Sequence, residues 1–102
     1  MVPTAYHELI EDFLRNHIPA DEFRRRLNQA FQKEPADMDK DLFLILIPLW
    51  VSSEDYSPRV TPGNENPFLI SEATLRKDAE TALARLKRYI QSARGDEGAA
   101  LR

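Results

Sequence analysis

Glu54, Asp55 and Tyr56 stand side by side in SSEDYSPR, at the end of LFLILIPLWV, the one long apolar run in the chain. Paired carboxylates accept charge-assisted hydrogen bonds from Lys and can engage Arg bidentately, and tyrosine is enriched at the cores of interfaces. Acids on a surface often do no more than cap helices or keep loops soluble. That reading suits Asp37, Asp39 and Glu72. It suits Glu54 and Asp55 less well, because they fall near the expected C-terminus of a helix, where the negative end of the dipole disfavours them. A lone tyrosine in this position also fits the edge of a hydrophobic core.

Groups for catalysis or metal binding are scarce. The chain has no cysteine, which excludes disulfides, thiolate metal sites and cysteine nucleophiles, and a cysteine-free composition suits a reducing cytoplasm. His7 and His17 are the only histidines, and neither has ligands at a persuasive helical metal-binding spacing. With three glycines and no GxGxxG, GxxxxGK or HExxH pattern, there is little material for a phosphate-cradling loop. No catalytic residues, cofactor or metal are therefore expected, and the chain reads as a non-enzyme.

The charge distribution is more informative. Residues 34–72 carry eight acids and two bases, a net of −6, which leaves +3 for the rest of a chain whose total is −3. Such an asymmetry steers a basic partner towards one side. The opposite idea is a nucleic-acid surface built on Arg24, Arg25 and Arg26. The run is flanked by Asp21 and Glu22 in a chain of pI about 5.4, a weak footprint, so direct nucleic-acid binding is not expected.

The elements that must position these groups are helical. At 102 residues the chain forms one domain, set here at residues 1–94, followed by a loose, polar tail over 95–102. Tyr6, Leu9, Ile10, Phe13 and Leu14 recur at helical spacing, and Asn16 and His17 close that helix. Pro19, Asp21 and Glu22 open a second, with Phe23, Leu27, Ala30 and Phe31 as its buried stripe and Pro35 at its end. Asp37, Asp39 and Asp41 are candidate caps for a third element. Every position from Leu42 to Ile47 is apolar, so periodicity alone does not separate a buried strand from a helix there. No second strand is available to pair with it, which favours a helix kinked at Pro48 and running towards Asp55. The long loop from Pro58 to Pro67 precedes a last helix capped by Ser71, with Ile70 and Leu75 as staple residues, though Thr74 stands where a capping box would place Glu or Gln. Gly95 is the expected stop.

The N-terminus lacks the basic start and clean apolar stretch of a secretion signal. Residues 42–51, interrupted by Pro48, are too short for the roughly 20 residues of a bilayer span. Four such helices make an all-α, antiparallel four-helix bundle with a long loop before the last helix.

The order of these features resembles the colicin D type immunity proteins, a bacterial self-protective colicin-like immunity family. The likeness runs from about Tyr6 to Tyr89. It rests on IPADEFRRRL opening the second helix, EDY ending the apolar third, the Pro-containing loop, and ISEATLRKDAETALARLKRY as the closing helix. It implies a cytoplasmic four-helix bundle that binds the C-terminal toxic domain of a bacteriocin or contact-delivered toxin. In the colicin D case that domain is a ribonuclease acting on transfer RNA, and acidic side chains cover its basic active site. Carried over, Glu54 and Asp55 match the acidic position, Tyr56 the aromatic that follows and Pro58 the loop proline. Arg59 departs from the pattern, and the loop, which includes Glu65, is longer. Together these six residues form the expected partner-binding set on a protein that is a monomer or weak dimer alone. The rival reading is a structural or regulatory helical module that self-associates through Trp50, Tyr56 and Phe68.

Overall fold

A computed structural model describes residues 2–34 and 38–100, with side chains described as far as residue 92. The four helices are α1 (Pro3–Leu14), α2 (Ala20–Lys33), α3 (Lys40–Asp55) and α4 (Glu72–Ala100), with a short 3-10 turn at Pro62–Asn64. No strand occurs among the described residues; two isolated bridges in the long connection are the only extended pairings there. α1 packs on α2 and α4, and α3 packs on the same two, so the helices form a closed ring in chain order with neighbours antiparallel. This is the four-helix bundle that the spacing predicts.

α1, α2 and α4 bury residues of the stripes their periodicity marks. Tyr6, Leu9, Ile10 and Phe13 face inward from α1, Phe23 and Leu27 from α2, and Leu75, Ala79, Ala82 and Leu86 from α4. Phe13 and Phe23 stack with ring centroids 4.4 Å apart, which fixes α1 against α2. The turn between them is short because Asn16 takes a left-handed conformation (φ 62°), one that asparagine adopts more easily than most residues.

α3 is one continuous helix. Asp39 caps it by accepting from the Leu42 amide at 3.2 Å, and burial, followed by the bond to Asp39, pushes the Tyr89 phenol of α4 up. Asp37 lies outside the described residues, as does Pro35; α2 itself ends at Lys33. Pro48 sits inside α3 on its exposed side. Proline has no amide hydrogen to give the Leu44 carbonyl, and an exposed position is where the loss of that helical bond costs least. Leu42, Leu46, Leu49 and Ser53 are the buried face, and the Ser53 hydroxyl is satisfied by the Trp50 carbonyl at 2.7 Å.

One boundary differs from expectation. α4 continues through Gly95 to Ala100, so the glycine does not stop it. A glycine ends a helix when it turns left-handed, and among the described residues no glycine has a positive φ; one glycine within a helix costs only about 1 kcal/mol. Leu101 and Arg102, the last residues of the expected tail, lie outside the described residues.

Candidate functional site

The α1–α2 turn, the C-terminus of α3, the long connection and the first turns of α4 meet at one end of the bundle. The connection is stitched across its base: the Ile70 amide donates to the Asp55 carbonyl (2.9 Å) and the Ser57 amide to the Ile70 carbonyl (3.2 Å). Further out, Asn66 and Leu69 exchange two backbone bonds of 3.0 and 3.2 Å, and the Asn66 side chain accepts from the Phe68 amide at 2.8 Å. This Asx-type turn places Phe68 at the tip of the loop, 78% exposed, with Leu69 beside it. The connection is thus an ordered scaffold that presents an aromatic ring to solvent.

The predicted site residues divide into two groups. Glu54 is exposed at the end of α3, and its carboxylate lies 4.0 Å from Arg24 of α2. Asp55 is half-buried and forms no ion pair among the described residues, while Pro58 and Arg59 are exposed on the first bend of the loop. These four share one end of the molecule and are open to a partner.

Tyr56 and Glu65 face inward. The Tyr56 ring is buried, only 6% exposed, and burial pushes its phenol up, with the nearby carboxylates of Asp21 and Glu72 adding to the shift and Arg24 opposing it. It is a core residue clasped between the first turns of α2 and α4. Glu65 accepts from the Ser71 amide at 2.9 Å and the Ser71 hydroxyl at 3.2 Å. Its carboxyl is held below its usual range, first by the Thr74 hydroxyl and then by the Ser71 amide. Ser71 in turn caps α4 by accepting from the Thr74 amide at 3.3 Å. Glu65 therefore supplies, from six residues upstream of Ser71, the acid that a capping box would carry at position 74. The sole sequence signal was that the expected acid was missing there.

A further residue went unassigned in the sequence. Arg76 donates to the Phe13 carbonyl at 3.0 Å, to the Asn16 side chain at 2.6 Å and to Glu72 at 3.0 Å, and its guanidinium lies over the Phe13 ring at 4.5 Å. It ties the end of α1 to the start of α4 and satisfies a terminal carbonyl.

The arginine run is largely paired. Arg25 and Arg26 both bind the Glu22 carboxylate, the latter at 2.7 Å, and together they hold that carboxyl below its usual range, Arg26 contributing most. With Arg24 beside Glu54, the run no longer presents three free cations. His7 lies 2.9 Å from Glu11 and His17 3.2 Å from Asp12, and no group of three or more potential metal ligands occurs among the described residues. Of the residues named for self-association, Tyr56 is buried and Trp50 is half-buried, its indole donating to Asn28 at 3.2 Å. Phe68 alone of the three is fully exposed. Among the described residues, no helix is long and apolar enough to cross a membrane.

Comparison with known proteins adds one finding. A family model described as bacterial self-protective colicin-like immunity matches residues 1–86. No curated protein and no solved structure matches the chain.

Proposed function

The chain belongs to the bacterial self-protective colicin-like immunity family, and from that premise we propose that it protects its cell by binding the C-terminal nuclease domain of a colicin-like toxin, a transfer-RNA-cleaving ribonuclease of the colicin D type, in the cytoplasm. Protection against a colicin-like toxin follows from the family; the nuclease, its substrate and the surface used are the proposal.

The observation that carries it is the composition of the loop end of the bundle. Glu54 and Asp55 sit beside an ordered loop whose tip projects Phe68. Carboxylates at the end of a rigid helix accept hydrogen bonds from the Lys and Arg that would otherwise hold RNA phosphates, and an exposed ring supplies a desolvated anchor next to them. Pro58 and Arg59 border this surface. Glu54 is held by Arg24 only at 4.0 Å, with both side chains about 40% exposed. An exposed pair of this kind is worth about 0–1 kcal/mol, so a toxin cation can take over the carboxylate at little cost. Tyr56 and Glu65 contribute indirectly by fixing the loop.

Growth of cells expressing the toxin domain encoded by the neighbouring reading frame, with and without this protein, tests the reading. Rescue by the wild type that is lost on combining Glu54→Lys with Asp55→Lys is the expected result. Failure to rescue from a demonstrably toxic domain, or rescue undiminished by the charge reversals, would contradict it.

A further inference from the structure

The outward side of α3 is apolar. Leu44 and Val51 are 51% and 47% exposed, Phe43 is 43% exposed, and Ile47 and Pro48 lie between them. Leu44, Ile47, Pro48 and Val51 follow the i, i+3, i+4, i+7 spacing of one helix face, opposite the buried Leu42, Leu46, Leu49 and Ser53. A surface helix ordinarily turns polar residues to solvent, and one that is apolar all round is ordinarily covered on both sides. Among the described residues nothing covers this one.

Its charges indicate what does. Lys40 begins the stripe, and Arg85 and Arg88 of α4 border it beside Leu44, three bases against the two acids Asp39 and Asp41. Glu54 and Asp55 end it. One end of the stripe is therefore basic and the other acidic. A parallel copy would set like charges together, whereas an antiparallel copy sets each end against its opposite.

We infer that this face is a homodimer interface, in which two copies pair antiparallel through α3 about a two-fold axis between Ile47 and Pro48. In that register Leu44 meets Val51 of the second copy, and Lys40 reaches the second copy's Glu54 and Asp55. The inference goes beyond the toxin reading and does not depend on it. It does have a consequence for it: the second copy shields Glu54 and Asp55, so a toxin must compete with self-association for the same end of α3.

A contact between two short helix faces lies at the small end of interface sizes, so the dimer is weak, with a dissociation constant on the order of 10–100 µM. The test is sedimentation equilibrium of the full chain over about 5–500 µM, a range chosen to bracket that constant. The mass should rise from the monomer value of 11.8 kDa towards twice that. Leu44→Asp and Val51→Asp, at positions exposed enough to preserve the fold by circular dichroism, should each hold the protein at monomer mass. Lys40→Glu should weaken the dimer several-fold, and adding Glu54→Lys and Asp55→Lys should restore it. A monomer throughout the range, a dimer indifferent to both aspartates, or a monomer in which the two aspartates abolish toxin binding would each overturn the proposal, the last by assigning the stripe to the toxin.

Discussion

The α1–α2 turn, residues 15–19, and the α3–α4 connection, residues 56–71, lie at the same end of the bundle and both dock on the first turns of α4. The short turn pairs its polar groups with the bundle itself: Arg15 lies 2.9 Å from Glu11, His17 lies 3.2 Å from Asp12, Asn16 accepts from Arg76, and the Phe13 carbonyl just before the turn also accepts from Arg76. The long connection does so only in part. Glu65, Tyr56 and the Ile70 backbone hold it in place, while Pro58, Arg59 and Phe68 stay exposed. Two connections with the same neighbour therefore differ in what remains free for a partner, and in the proposed function that difference separates scaffold from recognition surface.

The largest expected effect comes from cutting the short turn's tie to α4. Arg76→Ala removes bonds to a helix-terminal carbonyl and to Asn16, and should cost about 2–3 kcal/mol in denaturant unfolding, since hydrogen bonds to charged groups each contribute about 1.5–3 kcal/mol. Toxin binding by the folded fraction should be unchanged. Arg76→Lys should recover less than half of the loss, because an ammonium cannot reproduce the guanidinium fork.

Phe68→Ala is the converse. Stability should stay within about 0.5 kcal/mol, as for most exposed substitutions, while affinity for the toxin domain, read by calorimetry, falls about tenfold. Equal losses in both measurements would erase the distinction between the two connections.

Glu65→Gln should lower stability in a pH-dependent way. The Glu65 carboxyl is depressed by Thr74 and Ser71. Its contribution is therefore present above the unfolded value of about 4.3 and is lost as pH falls through the folded one. Thermal melts from pH 7 to 3 should show the wild type losing its lead over the Gln variant at the acid end. Glu22 is depressed too, so some acid sensitivity remains in the variant.

The smallest effect belongs to the arginine run. Arg25→Gln should change stability by less than about 0.5 kcal/mol, the usual scale for an exposed pair, and should leave toxin binding intact. A large loss of binding would extend the recognition surface onto α2.

The bundle itself was legible in the sequence because amphipathic stripes such as Leu75, Ala79, Ala82 and Leu86 repeat at the helical period, and because Ser71 is a local cap. α3 was harder to read because its apolar residues point both inward and outward, and a stripe that is apolar on every side carries no period. Glu54 and Asp55 stand out in the sequence because they violate a local preference at the end of a helix. Tyr56 was placed with them by adjacency and Glu65 as part of the long loop, yet their orientations depend on contacts with α2 and α4 that no local pattern encodes. Arg76 was invisible for the same reason: its partners lie 60 and 63 residues away in the chain. Gly95 gave a false stop, since composition marks where a helix is free to end, not where its backbone does end.

The most direct test of the recognition surface is the association rate of the toxin domain with wild type and with the combined Glu54→Lys and Asp55→Lys variant, by stopped-flow at low and at physiological ionic strength. The expected result is a wild-type rate that falls as salt rises, and a variant at least about tenfold slower at low salt with helicity unchanged. Identical rates, dissociation constants and salt dependence in a folded variant would place the toxin elsewhere on the bundle.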